Sequence, residues 1–255
     1  GIRDSVGSRG LGDVYKRQVD NTFHMRLAIL IAMAATATGL RSVVLVRHGI
    51  SEMNVALARQ PWGSPGFADP DIRDAPLTPE GLAGAERLRG TIGDVGAVDL
   101  VVSSPLTRAL QTSAAVFRDA GVPAVATPLA AERCYLSSDV GAPVGALRRA
   151  WPRVAFAEDD FPEPCWWYGG GPAYAPPPAD DWRPPGRYAA AGEPVADFRA
   201  RLATLVAWLE ARDERSIALT CHWGVIAALT GESFENCEAR RLPLSALRVR
   251  EDVAY

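Results

Sequence analysis

The segment Ser42-Val43-Val44-Leu45-Val46 is an unbroken β-branched and apolar run that stops abruptly at Arg47-His48-Gly49. A strand without polar alternation has to be buried on both faces, so it belongs inside a sheet covered by helices above and below. Polar chemistry then begins where the strand ends. The same change of character recurs along the chain. Asp99-Leu100-Val101-Val102-Ser103 and Ser216-Ile217-Ala218-Leu219-Thr220-Cys221 read as further buried strands, the latter ending at His222-Trp223-Gly224, and Pro123 to Thr127 fits a short one. Helical patterns lie between them. Leu77-Thr78-Pro79-Glu80 offers an N-cap Thr and a Pro in the first helical position, ahead of Leu82, Ala85, Leu88 and Arg89. Ser104-Pro105 opens a helix with the stripe Leu106, Ala109, Leu110, Ser113, Val116 and Phe117, and after Gly192 a helix shows Phe198, Leu202, Leu205, Val206 and Leu209 on one face. The pattern predicts an α/β fold, a three-layer sandwich with a mostly parallel sheet and helices on both faces. Ligands of such sheets sit beyond the carboxyl ends of the strands.

At 255 residues the chain exceeds the domain prior of roughly 150, which predicts one large domain or one domain with an insertion. Residues 1–24 have no apolar period and read as a non-native leader, with Met25 as the natural start. Residues 25–40 read either as an apolar lead-in helix or as a cleaved signal; the stretch is too short for an integral membrane span. The compartment is accordingly cytoplasmic, or secretory or organellar if the segment is cleaved. Residues 41–255 form the main domain. Within it, the span of about 138–192 breaks the alternation with GAP, PEP, WWYGGGP, APPP and RPPG runs and reads as an inserted Pro/Trp-rich cap. Its Trp166, Trp167, Tyr168, Tyr174 and Trp182 serve either substrate contact or packing on the domain surface.

Side-chain chemistry narrows the function. Of 27 basic residues only Lys16 is a lysine, so nucleotide-loop, Schiff-base and kinase-type lysine chemistry is excluded from the main domain. The three histidines, His24, His48 and His222, argue against a three-His zinc site. Cys134, Cys165, Cys221 and Cys237 form no CxxC pair and are expected to be free thiols. A net charge of −3 excludes a generic nucleic-acid binder. What remains is Arg47-His48, Arg108 and His222, all at strand ends or helix openings and all convergent on one anion site. Two guanidinium forks suit a phosphoryl dianion. A histidine after Arg47 can attack phosphorus if its ring is neutral, one nitrogen protonated on a backbone carbonyl and the other free; nearby guanidinium groups favour that state. The helix opening near Asn54 adds backbone donors and a side-chain amide. Taken singly, an RHG triplet at a strand end also arises by chance, and His222 fits a satisfied core histidine equally well.

In order and spacing, VVLVRHGISEMN, APLTPEG, SSPLTRALQT, the Glu132-Arg133-x-Tyr135 group and TCHWG resemble the histidine phosphatase superfamily, also called phosphoglycerate mutase-like. The resemblance runs from about Ser42 to Thr230. It implies His48 as the phosphorylated nucleophile, Arg47 and Arg108 as phosphate clamps, Ser51 and Asn54 on the Ser and Asn of the first motif, and His222 as the second histidine beside the transferring group. It further implies Glu132 as the general acid, with Arg133 and Tyr135 toward the rest of the substrate. A small phosphorylated substrate is implied, with no cofactor and no metal; oligomeric state is left open. The continuation LSSDVG and the Pro/Trp-rich insert depart from the mutases. They leave Asp139 as a second acid candidate, although it reads equally as a turn residue. Trp223 and Ser104 read as packing or capping groups. The expected reaction is phosphomonoester hydrolysis through a phosphohistidine. The alternatives are mutase-type phosphoryl transfer and a catalytically silent phospho-ligand binding module.

Overall fold

A computed structural model describes residues 41–92, 98–156, 161, 166–167 and 192–253. Six strands form one sheet: β1 (Ser42–Arg47), β2 (Leu100–Ser103), β3 (Ala124–Ala126), β4 (Ala155–Phe156), β5 (Ser216–Cys221) and β6 (Ala239–Pro243), in the order β4-β3-β2-β5-β1-β6. All neighbours are parallel except β6, which runs antiparallel to β1. The described helices are α1 (Glu52–Arg59), α2 (Pro79–Thr91), α3 (Thr107–Phe117), α4 (Val144–Ala150), α5 (Val195–Glu210) and α6 (Trp223–Thr230).

Strand periodicity divides the core between the two faces. Val43 and Leu45 of β1 join Leu100, Val102, Ile217 and Leu219 on one face, against Phe198, Leu202, Leu205 and Leu209 of α5 and the buried side of α6. Val44 and Val46 join Val101 and Ala218 on the other, against Ala85 of α2 and Ala115, Val116 and Phe117 of α3. Helix caps follow the sequence closely: Thr78 accepts from the Gly81 N–H at the start of α2, where Pro79 opens the helix. Helix α3 begins later than Ser104-Pro105 suggests, at Thr107, because the Asp74 carboxylate takes both the Thr107 N–H and its hydroxyl.

The start of the expected insert is more regular than its Pro and Gly content suggested. Residues Val144–Ala150 form α4, and Ala155–Phe156 add the edge strand β4. Trp166, Trp167 and Phe161 are buried with Leu106, Leu110, Val144 and Leu147 in a third cluster, and the Trp166 indole donates to Ala142 O at 2.8 Å. Gly141 is required there, since a Cβ would lie 2.0 Å from the Trp166 ring. These two tryptophans therefore pack into the domain. Tyr168, Tyr174, Trp182 and Cys165, together with residues 1–40, lie outside the described residues. Cys221 and Cys237 are free thiols. No helix among the described residues is long and apolar enough to cross a membrane.

Candidate active site

Three adjacent strands, β2, β5 and β1, are followed directly by Ser104, His222 and His48. Sheet hydrogen bonding continues just past their ends: Ser104 N donates to Thr220 O at 2.9 Å, and His48 N to Cys221 O at 3.0 Å. The three side chains consequently stand in a row. His222 Nε2 lies 2.7 Å from Ser104 Oγ, and its ring centroid is 5.0 Å from that of His48.

Both rings are buried, and their surroundings keep them neutral. Desolvation and the Arg108 charge push the His48 pKa well below 6.5, with Arg47 adding to the effect. Burial, Arg108 and the neighbouring His48 do the same to His222. His48 Nδ1 sits 2.7 Å from the Gly49 carbonyl oxygen. A carbonyl only accepts, so Nδ1 carries the proton and Nε2 keeps a free lone pair. The loop bearing His48 is held from behind: Gly49 N donates to Thr112 Oγ1 at 3.0 Å, and the Asn236 amide donates to His48 O at 2.9 Å.

The arginines approach from separate elements. Arg47, the last residue of β1, donates from Nη1 to Phe234 O, and its Nε has no protein partner. Arg108, in the first turn of α3, is buried; it donates to Ser138 O at 2.6 Å and to Asp139 Oδ1 at 2.9 Å. Asp139 uses its other oxygen to accept from Tyr135 N and Leu136 N. Both its oxygens are thus occupied with holding Arg108 and the surrounding turn. Among the buried polar atoms, His222 Nδ1 also lacks a protein partner. An unpaired buried donor such as Arg47 Nε is costly unless a ligand meets it.

Glu132 stands in a different environment. Oε1 accepts from Arg133 N at 2.9 Å and Oε2 from Gly224 N at 3.0 Å. Gly224, in the first turn of α6, leaves the space: a Cβ there would lie 2.4 Å from Oε1. Burial, then the negative charge of Asp139, raise the Glu132 pKa above its ordinary value, and the two backbone donors only partly offset this. Arg201 of α5 fixes the segment that carries Glu132. It donates to Leu129 O and Ala131 O, both at 2.9 Å, and forms a 2.7 Å ion pair with buried Glu193. Glu193 in turn accepts from Cys134 N, and its carbonyl accepts from Arg133 Nε.

Arg47, His48, Ser51, Asn54, Arg108, Glu132, Arg133, Tyr135 and Asp139 line one cavity of about 400 Å³. His222 is fully buried and lies against His48. Ser51 caps α1, and Asn54 Oδ1 accepts from both Ser51 N and Ser51 Oγ, which leaves its amide nitrogen for a ligand. Every site residue expected from the sequence is therefore in or against this cavity. The sequence did not point to Asp139 as the partner of Arg108, nor to the Ser104 contact with His222; Ser104 Oγ also accepts from Leu106 N, so the expected capping role is present as well. Arg201, Glu193 and Asn236 carried no motif and are recognisable only once the fold brings them together. Trp223, expected to pack, is instead 38% exposed at the cavity. Among the described residues, no group of three His, Cys, Asp or Glu side chains could hold a metal ion.

Among solved structures, the chain is similar to the alpha-ribazole phosphatase from Shigella flexneri, at 21% identity over 78% of this chain and 89% of that one, with a TM-score of 0.49. It is also similar to a mycobacterial glucosyl-3-phosphoglycerate phosphatase, at 22% identity over 79% of this chain and 92% of that one (TM-score 0.46). Phosphoglycerate mutase from Thermus thermophilus is similar at 21% identity, over 84% of this chain and 99% of that one (TM-score 0.44). No curated protein matches the sequence significantly. The family model for the histidine phosphatase superfamily (branch 1) matches residues 43–249, a span that includes every residue of the cavity, and the chain belongs to that superfamily.

Proposed function

We propose that the protein is a phosphomonoester hydrolase that works through a phosphohistidine on His48, without a metal ion. The observation that carries this reading is the His48 ring: buried and neutral beside two guanidinium groups, with Nδ1 tied to the Gly49 carbonyl. That state leaves Nε2 as a fixed nucleophile.

In the first step the Nε2 lone pair forms a bond to phosphorus as the ester P–O bond breaks in line. Arg47, Arg108, the Asn54 amide and the partnerless His222 Nδ1 meet the equatorial oxygens, and their charge and dipoles do what a metal ion does elsewhere. For that role His222 takes the tautomer with a proton on Nδ1, the Ser104 hydroxyl donating to Nε2. Glu132, whose pKa burial and then the Asp139 charge raise above its ordinary value, gives its proton to the departing alkoxide. In the second step the resulting carboxylate takes a proton from water, whose oxygen attacks phosphorus; the P–N bond breaks, inorganic phosphate leaves and Nε2 regains its lone pair. Asp139 is held in a buried 2.9 Å ion pair with Arg108, which favours its carboxylate form, and Glu132 has no such charge partner; Asp139 therefore holds Arg108 in place and Glu132 takes the acid role.

The test is phosphate release from a panel of phosphorylated metabolites, with and without a bisphosphoglycerate donor. Release without transfer between substrates supports the hydrolase. Transfer to a second hydroxyl makes the protein a mutase, and phosphate-ester binding without turnover makes it a binding module.

A further inference from the structure

Once the phosphate machinery is set aside, most of the remaining cavity lining is apolar or aromatic: Met53, Leu57, Trp62, Tyr135, Leu136 and Trp223, with Arg133, Ser138 and Gly224 beside them. Three large hydrophobic side chains are exposed among the described residues, and two of them, Trp62 at 50% and Trp223 at 38%, border this one cavity. Exposed tryptophans gathered at a concave site mark a surface made to be covered by a ligand. Both belong to an arranged wall. The Trp62 ring meets the Tyr135 ring edge-on at 5.8 Å, and the Arg133 guanidinium lies over the same tyrosine at 4.4 Å. Arg133 is itself anchored by its Nε–H bond to Glu193 O, and the Trp223 indole donates to Ser233 Oγ at 2.9 Å.

We infer that the preferred substrate is the phosphate monoester of an apolar, ring-bearing alcohol, with the ring against Trp62, Tyr135 and Trp223. This rests on the phosphatase reading of the same site. An apolar ring removes Trp surface from water and gains stacking contacts. A polyhydroxylated leaving group would be desolvated against the same wall, which offers its several hydroxyls few polar partners beyond Arg133 and Ser138. Tyr135 therefore sets specificity through its ring rather than through its hydroxyl.

The experiment compares 2-phenylethyl phosphate with glycerol 3-phosphate. Both lose a primary alkoxide, so the bond-breaking chemistry is alike and the difference reports the wall. The expected kcat/KM is higher for the phenylethyl ester by roughly 10- to 100-fold, the worth of burying one aromatic side group. Trp62→Ala and Trp223→Ala should each narrow that ratio, mainly through KM, and Trp62→Phe should restore part of it. Equal hydrolysis of the two esters, or a ratio unmoved in both alanine variants, overturns the inference and leaves the phosphatase reading standing. If neither ester is hydrolysed, the phosphatase reading fails, and binding decides the wall separately. In His48→Ala, titration followed by tryptophan fluorescence should show tighter binding of 2-phenylethyl phosphate; equal or weaker binding than glycerol 3-phosphate refutes it.

Discussion

Replacing Glu132 by Gln separates the proposed proton transfer from architecture, because the structure shows which backbone groups hold the side chain. The carboxylate accepts two backbone N–H groups, from Arg133 and Gly224. A glutamine of the same size satisfies one with its carbonyl oxygen and presents its NH₂ to the other. One buried donor is left facing a donor, at a cost of about 1–3 kcal/mol. For a chain of this size that lowers Tm by about 2–4 °C per kcal/mol, so the variant should fold and be measurable at room temperature. The chemical loss is larger. Without a proton to give, expulsion of an alkoxide should slow by about 10²–10⁴, or about 2.7–5.5 kcal/mol of barrier. The assay is single-turnover phosphorylation of the enzyme by an alkyl phosphate and by para-nitrophenyl phosphate, whose phenolate leaves well unprotonated. The aryl ester should lose far less in the first step. Equal first-step losses for the two esters would refute the acid role and reduce Glu132 to a structural carboxylate.

Other perturbations test neighbouring parts of the site. His48→Ala should abolish turnover, and labelled substrate should leave an acid-labile, base-stable adduct on the wild-type protein; label on any other residue sinks the nucleophile assignment. Asp139→Asn should destabilise the fold by about 3–5 kcal/mol in urea titration, because it leaves the Arg108 guanidinium buried without its charge partner. It should raise KM for alkyl and aryl esters alike, which an acid role would not do. Arg201→Ala should lower kcat more for alkyl than for aryl esters, since Arg201 acts by positioning Glu132; Arg201→Lys should recover little, because one ammonium cannot span the Leu129 and Ala131 carbonyls and Glu193 together. pH provides a further check. His48 and His222 have depressed pKa values in the folded state, so the unfolded chain binds more protons as pH falls below 6.5. Stability should then drop by up to about 1.4 kcal/mol per pH unit for each histidine. His222→Gln should flatten that slope, and an unchanged slope would count against a neutral His222.

The strands nearest the chemistry were legible because they are buried on both faces. Nothing but an apolar run can occupy the β1 and β5 positions, and each such run has to hand over to polar residues where it leaves the sheet. The edges were not legible, for the opposite reason. Strand β6 reads Ala-Arg-Arg-Leu-Pro, a sequence with no strand period, and among the described residues it is an edge strand; charged residues and a proline are what such an edge tolerates. Strand β4 is two residues long and sits beside α4 in a span whose prolines and glycines suggested irregular chain throughout. Among site residues, Arg47, His48, Arg108, Glu132 and His222 were visible through their placement and motifs. Arg201 looked like any polar residue on an amphipathic helix, since its partners are backbone carbonyls some 70 positions away. The pairing of Asp139 with Arg108 joins two segments 31 residues apart, and a short SSDVG turn says nothing about which arginine it will meet.

The order of strands in the sheet also has a consequence for how the protein comes into being. Strand β5 lies between β1 and β2, yet it follows β1 by about 170 residues, with Ser42 paired to Ser216. As the chain leaves the ribosome, β1 and β2 are complete long before the strand that joins them exists. Each must wait with an open apolar edge, a state that favours wrong pairing and slow maturation. His48 and Arg108 are synthesised early but have no His222 beside them until β5 slots into the gap, and α6 brings Gly224 to Glu132 only after that. The nascent chain thus carries most of its site residues without a working site, and activity arrives as one late event, with closure of the middle of the sheet.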